Sequence, residues 1–163
     1  MTNASSAGGL QGVTLRPARQ ADLAAVERLL QQLSLPTAGL AEWWSRFTVA
    51  EAGGQVVGLA GLEHYTDGVL LRSVAVAPAC RSSGLGRALV DSVLAEAIQQ
   101  GYRDAYLLTT TAERYFPRLG FAPIGREEVP ASVQQSIEFR EACPASAVVM
   151  HRTLTSAPAL KPE

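Results

Sequence analysis

Leu71-Arg72-Ser73-Val74-Ala75-Val76-Ala77-Pro78, followed by Arg81-Ser82-Ser83-Gly84-Leu85-Gly86-Arg87, is the stretch on which the fold turns. The first part is an apolar strand pattern that Pro78 stops. The second is a glycine-bearing bend that opens into the clearest helical pattern of the chain. From Gly86 to Gln100, Val90, Val93, Leu94, Ala97 and Ile98 fall on one face, and Gly101 stands at the C-terminal stop. A strand that feeds a helix through such a bend suits an anion, because the first helical N–H groups lack intrahelical partners and carry partial positive charge. Glycine lets the backbone approach a pyrophosphate with no Cβ in the way. Arg81 and Arg87 can add charge-assisted hydrogen bonds. The plain alternative is a tight turn with no ligand; the strand before it and the arginine on each side favour phosphate. It is not a Walker loop, since the Gly-Lys-Ser/Thr ending is missing, nor a dinucleotide fingerprint, since G-x-G-x-x-G is absent.

Outward from this centre, Val69–Ala77 and Gln55–His64 read as strands joined by a turn at Asp67-Gly68, with a Gly53-Gly54 hairpin turn ahead of them. Gly58 and Gly61 weaken the second of these or mark a bulge. Val13–Arg16 predicts a first strand. Leu23, Val26, Leu29, Leu30 and Leu33 form a helical stripe over Gln20–Leu33, and a short helix follows from about Leu40 to Phe47. Downstream, Ala105–Leu108 is a short apolar run expected to be a buried parallel strand. A helix over Ala112–Leu119, a strand from Phe121 to about Gly125, a helix over Pro130–Glu141 and a last strand over Ala147–His151 follow; with the strand that the Gly53-Gly54 hairpin turn implies before Gln55, the order is β-α-α-β-β-β-α-β-α-β-α-β. The class is α/β of the α+β type, a mixed sheet with helices on its faces.

The 163 residues predict one domain, and 47% apolar content fills a core. The expected organisation is a disordered leader over residues 1–12, a domain over 13–154 and a loose tail over 155–163. A net charge of −1, from 14 basic and 15 acidic residues, argues against a general nucleic-acid binder. No apolar run reaches the ~18 residues of a membrane span. Two distant cysteines, Cys80 and Cys143, without a secretion signal point to a reduced, cytoplasmic setting. With no CxxC pattern and no ligand spacing at His64 or His151, no metal is expected. Cys143 reads as a plain structural cysteine rather than a metalloid ligand.

The strand Leu71–Pro78 with Arg81-x-x-Gly84-x-Gly86 resembles the acetyl-CoA motif, Q/R-x-x-G-x-G/A, of the GNAT superfamily of N-acetyltransferases. Arg16-Pro17-Ala18 with Asp22-Leu23, and Leu119-Gly120-Phe121, are similar to that family too, so the resemblance covers about Val13 to Leu154. It implies a mixed, mostly antiparallel central sheet with helices on both faces, and acetyl-CoA as co-substrate. It further implies that the backbone of Val74, Ala75 and Val76 holds the acetyl and pantetheine parts, with Val76 N–H as oxyanion donor. The N–H groups from Ser82 through Ser83, Gly84, Leu85 and Gly86 to Arg87 would hold the pyrophosphate. This chain departs from the pattern at Ser82, where glycine is common, and at Ser83, where a basic residue is common.

Acetyl transfer to an amine needs a base for one proton and a donor for the negative oxygen of the intermediate. Glu63, near the end of the strand beside the acetyl-CoA strand, is the base candidate; the competing reading is a solvated strand-end carboxylate. Resemblance places a carboxylate there in several GNAT enzymes. The acid of many family members is a tyrosine five residues before the Phe of Gly-Phe, where this chain has Phe116; Tyr115 is the substitute candidate, or a packed aromatic. Leu107-Leu108-Thr109-Thr110-Thr111-Ala112 and Val129-Pro130…Ser136…Glu138-Phe139…Cys143-Pro144 look like the arsenic-resistance branch of the family. One substrate implied by that branch is arsinothricin, a glutamate analogue. The Leu-Thr-Thr segment is also similar to the acetyltransferase domain of N-acetylglutamate synthases. Both imply an amino-acid acceptor, for whose carboxylate Arg72 is the candidate clamp, with Ser73, Thr109 and Thr110 beside it; otherwise Arg72 is a surface ion pair. The Pro130–Glu141 helix would roof that pocket or cover the sheet edge.

The expected function is N-acetylation of a small amino-acid-like amine. The alternatives are acetylation of a peptide or protein N-terminus, and a CoA-binding sensor without turnover. The C-terminal strand could pair across a homodimer.

Overall fold

A computed structural model describes residues 12–142 and 145–155. The expected leader up to residue 11, Cys143 and the tail from residue 156 lie outside the described residues. Seven strands are hydrogen-bonded in the order β1-β2-β3-β4-β5-β7-β6. They are β1 Val13–Pro17, β2 Phe47–Ala52, β3 Gln55–Tyr65, β4 Gly68–Val76, β5 Asp104–Thr109, β6 Ala122–Ile124 and β7 Val148–Thr153. β4 and β5 run parallel, whereas β1–β2, β2–β3, β5–β7 and β6–β7 are antiparallel. The helices are α1 Leu23–Gln32, α2 Leu40–Trp43 and α3 Leu85–Gln99. The chain divides into two compact units, one ending at Leu62 and resuming over Ser73–Val93, the other made of Glu63–Arg72 and the chain from Leu94 onward.

In the first unit, the stripe of α1 (Val26, Leu29, Leu30) is buried with Leu40, Phe47, Val49, Leu59 and Ala75. β3 side chains alternate between faces, so Gly58 looks away from this cluster. A Cβ there would lie 3.0 Å from Leu89 Cδ1 and 3.4 Å from Leu85 Cδ2. α3 therefore covers the face opposite α1, and Gly58 is the residue that lets it come close. The β2–β3 register shifts between Ala50 and Glu51, which face Gly58 and Val56. Val57 is thus the extra residue of the bulge expected near the glycines. Arg16 pairs with Asp22 at 2.8 Å and with Glu51 at 2.7 Å. That contact with Arg16 holds the Asp22 carboxyl below its ordinary range, against the effect of burial.

In the second unit, Leu70, Tyr106, Val129, Val133 and Val149 form the core. The tight turn ahead of β4 is Thr66-Asp67 rather than Asp67-Gly68, since Gly68 is already the first residue of the strand. Its glycine serves close approach: a Cβ would sit 2.9 Å from Asp104 O and 2.9 Å from Tyr106 Cε2. Backbone cannot yield as a side chain can, so Gly68→Ala should cost about 1–3 kcal/mol of stability, read from the denaturant midpoint.

Two expected helices take other forms. Over Ala112–Leu119 a single turn leads into a 3₁₀ helix, Phe116–Leu119, because Pro117 has no N–H for a longer α-helical ladder. Over Pro130–Glu141 the chain makes a 3₁₀ turn at Val133–Gln135 and then a π-turn at Glu138–Ala142. Between them Ser136 is extended at ψ 141°, and its Oγ accepts from Glu138 N–H at 3.1 Å. A serine hydroxyl that captures a nearby amide competes with the helix in this way. β7 is paired to β5 on one edge and to β6 on the other, so Val149–His151 offers no edge to a strand from a second copy.

Candidate active site

The bend after β4 is built by local geometry. Pro78–Cys80 forms a 3₁₀ turn, and Ser82 and Gly84 both take left-handed backbone, at φ +67° and +85°. Glycine adopts that region freely, whereas a serine pays about 1–2 kcal/mol, which gives the family's preference for glycine at position 82 a physical cause. Ser83 has a capping role in place of a charge. Its hydroxyl donates to Cys80 O at 2.6 Å and accepts from Leu85 N–H at 3.3 Å. The first α3 bond runs from Ala88 N–H to Gly84 O at 3.1 Å, so the amides of Gly86 and Arg87 lie ahead of the helical ladder. A Cβ on Gly84 would meet no protein atom within 4 Å. The bend is therefore open beside Gly84, and its early-helix amides with Arg81 and Arg87 fit a pyrophosphate. Arg81 is exposed and its Nε lies 3.4 Å from Val76 O; Arg87 is exposed as well. In β4, Ala75 is buried in the α1 cluster while Val74 and Val76 are half-buried. Just before them Ser73 is left-handed at φ +59°.

Glu63, Arg72, Thr109, Thr110 and Tyr115 belong to the second unit. Glu63 is fully buried, so the reading of it as a solvated strand-end carboxylate does not hold. Arg72 is 3% exposed and is no surface ion pair. Its Nη1 donates to Glu63 Oε2 at 2.8 Å, and Tyr65 OH donates to Glu63 Oε1 at 2.5 Å. On its other side Arg72 Nε lies 3.4 Å from Glu138 Oε2. Two carboxylates thus share one guanidinium out of water. Burial pushes the Glu138 carboxyl up to about 7; Arg72 opposes that rise and Glu63 adds to it.

Glu138 is the residue that reading for chemistry missed, although it stood in the arsenic-branch segment. A usable signal was Arg72 inside an apolar strand, since a buried guanidinium requires carboxylate partners. Thr109 is buried and its Oγ1 accepts from Thr111 N–H at 3.3 Å and Ala112 N–H at 2.9 Å; Thr110 is exposed. Tyr115 is half-buried, edge-on to Phe116 at 5.2 Å, and lines a shallow depression of about 580 Å³ with Thr111, Glu113, Arg114 and Arg118. His64 is half-buried, with its ring edge-on to Tyr102 at 5.1 Å. The structure brings Glu63 and Arg72 into one cluster, while Thr109 and Tyr115 serve the loop after β5. Among the described residues, no group of His, Cys, Asp and Glu could hold a metal ion, and no helix is long and apolar enough to cross a membrane.

A bend of this kind between a strand and a helix N-terminus, on a mixed sheet, suits a protein that binds a phosphate-bearing cofactor. Residues 43–123 match the Acetyltransferase (GNAT) domain. The chain is 30% identical over 127 residues to the uncharacterized N-acetyltransferase CT2212 of Chlorobaculum tepidum, covering 73% of this chain and 81% of that protein. It therefore belongs to the GNAT family of N-acetyltransferases, with acetyl-CoA as co-substrate. Rv2747 of Mycobacterium tuberculosis, solved in complex with CoA, superposes with a TM-score of 0.74 at 28% identity, over 87% of this chain and 99% of that one. The amino-acid acetyltransferase of Salmonella typhi is 30% identical over 97 residues, 58% of this chain but 22% of that enzyme. N-acetylglutamate synthase of Neisseria gonorrhoeae, complexed with coenzyme A and N-acetyl-glutamate, shares the fold at a TM-score of 0.76 and 21% identity, over 88% of this chain and 35% of that one. The chain thus spans about a fifth to a third of the length of these two enzymes.

Proposed function

We propose that this acetyltransferase acts on the α-amino group of a small amino acid, with glutamate or a glutamate analogue such as arsinothricin as acceptor. The observation that carries the reading is the buried arginine of β4, Arg72, set between Glu63 and Glu138. An acidic amino acid brings an amino group and a side-chain carboxylate, and one fixed cation among carboxylates complements both. The likeness to amino-acid acetyltransferase and the arsenic-branch segments around Thr109 and Glu138 point the same way.

Acetyl-CoA supplies the acyl group as a thioester. The amides from Ser82 to Arg87, with Arg81 and Arg87, hold its pyrophosphate, and the backbone of Val74, Ala75 and Val76 lines up the reacting end. The acceptor nitrogen needs a lone pair, so Glu63 takes its proton directly or through water. Tyr65 and Arg72 fix the orientation of that carboxylate. Val76 N–H donates to the oxyanion, and Tyr115 protonates the departing thiolate. Arg72 receives the side-chain carboxylate of the acidic acceptor, with Ser73, Thr109 and Thr110 as lesser donors.

The test is thiol release from acetyl-CoA with L-glutamate, phosphinothricin-like amino acids, polyamines and peptides. Acidic amino acids should be the preferred acceptors. Glu63→Gln should lower kcat by about 10²–10⁴ and leave acetyl-CoA binding intact. Preference for peptides would overturn the acceptor assignment, and an unchanged rate in the variant would move the base elsewhere.

A further inference from the structure

The segment after Val129 is fixed at its start and packed again at Phe139, which lies against the same core and beneath the Arg126 guanidinium. Val129 and Val133 are in the core. Ser132 Oγ donates to Asp67 Oδ2 at 2.8 Å and accepts from Asp67 N–H at 3.2 Å. Past the extended Ser136 the chain makes one π-turn, and Glu138 reaches Arg72 from it. Its hold is the weaker of the two on that guanidinium, 3.4 Å against 2.8 Å for Glu63, which the Tyr65 hydroxyl also secures. π-turns interrupt regular structure and recur where a side chain has a functional task.

We propose that Glu138 sets acceptor specificity: its carboxylate stands on Arg72 in the place that the side-chain carboxylate of an acidic acceptor takes, and it gives way when that acceptor binds. The proposal rests on the Arg72 clamp described above. An acidic acceptor brings one carboxylate to Arg72 as Glu138 takes up a proton and withdraws, which leaves the buried charge unchanged. A neutral acceptor brings no charge to take that place, so it leaves Glu138 on Arg72 and gains nothing from the cation. Specificity then comes from a competitor built into the chain as well as from attraction. The exchange asks only for the Glu138 side chain to turn away from Arg72, while Val129, Val133 and Phe139 keep their places in the core.

The groups that face Glu138 are Arg72 of β4 and Glu63 of β3, the latter capped by Tyr65. Glu138 titrates at about 7. Below that pH its carboxyl is neutral and yields Arg72 easily; above it the ionised form competes.

The experiment measures the Kd of L-glutamate and of L-glutamine by calorimetry on the full chain with CoA present. The ratio between the two cancels the ionisation of the amino group, which they share. If only the protonated form of Glu138 yields, the wild-type glutamate Kd should rise about tenfold relative to that of glutamine between pH 6 and pH 8. Glu138→Gln should flatten this dependence and tighten glutamate at pH 8, and Glu138→Asp should restore it. A flat ratio in the wild type, or a dependence that persists in Glu138→Gln with an unchanged melting temperature, overturns the proposal. Arg72→Lys separates the two claims. If it weakens glutamate selectively while Glu138→Gln changes nothing, the clamp stands and the role of Glu138 falls. If it leaves the ratio untouched, or if neither amino acid binds to the wild type, the clamp falls and the proposal with it.

Discussion

Gly86→Glu is expected to abolish acetyl-CoA binding while the protein keeps its fold. Gly86 is in the first turn of α3, ahead of the first helical hydrogen bond from Ala88 to Gly84. An acidic side chain in a first turn is favourable to the helix itself, by about 0.3–1 kcal/mol. The same charge faces a pyrophosphate if the bend holds one. Two like charges about 4 Å apart repel by about 4 kcal/mol at the dielectric of a protein surface, which corresponds to roughly a thousandfold in affinity. The two effects have opposite signs, so the substitution separates binding from stability. Calorimetry should detect no acetyl-CoA binding at concentrations that saturate the wild type, with a melting temperature within a few degrees. Undiminished affinity would remove the pyrophosphate from this bend.

Arg72→Ala should be the most damaging single change to stability. It leaves Glu63 and Glu138 buried with no cation between them, and the loss of one partner from a buried pair costs about 3–5 kcal/mol. The Glu138 carboxyl, already pushed up by burial, then loses the arginine that opposes the rise. A folded-state pKa above the unfolded value for an acid means that the folded form binds more protons, so stability falls as pH rises. The variant should be nearest to wild type at about pH 5, where the Glu138 carboxyl is protonated, and weakest at pH 8. Urea unfolding at the two pH values measures the difference. A loss that is equal at both would show that packing of the arginine stem, rather than its charge, is what the site needs. Where the variant still folds, its KM for an acidic amino acid should rise well above wild type.

The strand–bend–helix at the centre of the chain was legible because its signals are local. Pro78, the glycines and the apolar stripe of α3 act within a turn or two, and the helix found, Leu85–Gln99, is displaced by one residue from the one expected. Gly58 was recognised as a mark of irregularity, but the approach of α3 that requires glycine there was not, since it depends on residues far along the chain. The Pro130–Glu141 segment misled because Val133 and Ile137 are spaced as on an α-helix. The residues actually buried there are Val133, Ser136 and Glu138, a spacing that follows the 3₁₀ and π turns. The acceptor cluster was half legible. Glu63 and Arg72 were named from adjoining strands, yet their burial and their third partner follow from tertiary packing, which no short window records.

The position of β7 between β5 and β6 has a consequence for synthesis. β6 has three residues, and its described strand neighbour is β7. As the chain leaves the ribosome, β1 to β3 can zip together early. β6 and the far edge of β5 must wait for Val148–Thr153 to emerge. Pairings between distant parts of a chain are slow to form, and half-made sheets of this kind attract chaperones. Glu63 and Arg72 lie in the same compact unit as these late-pairing strands, so stripping water from that ion cluster accompanies the closure of that unit.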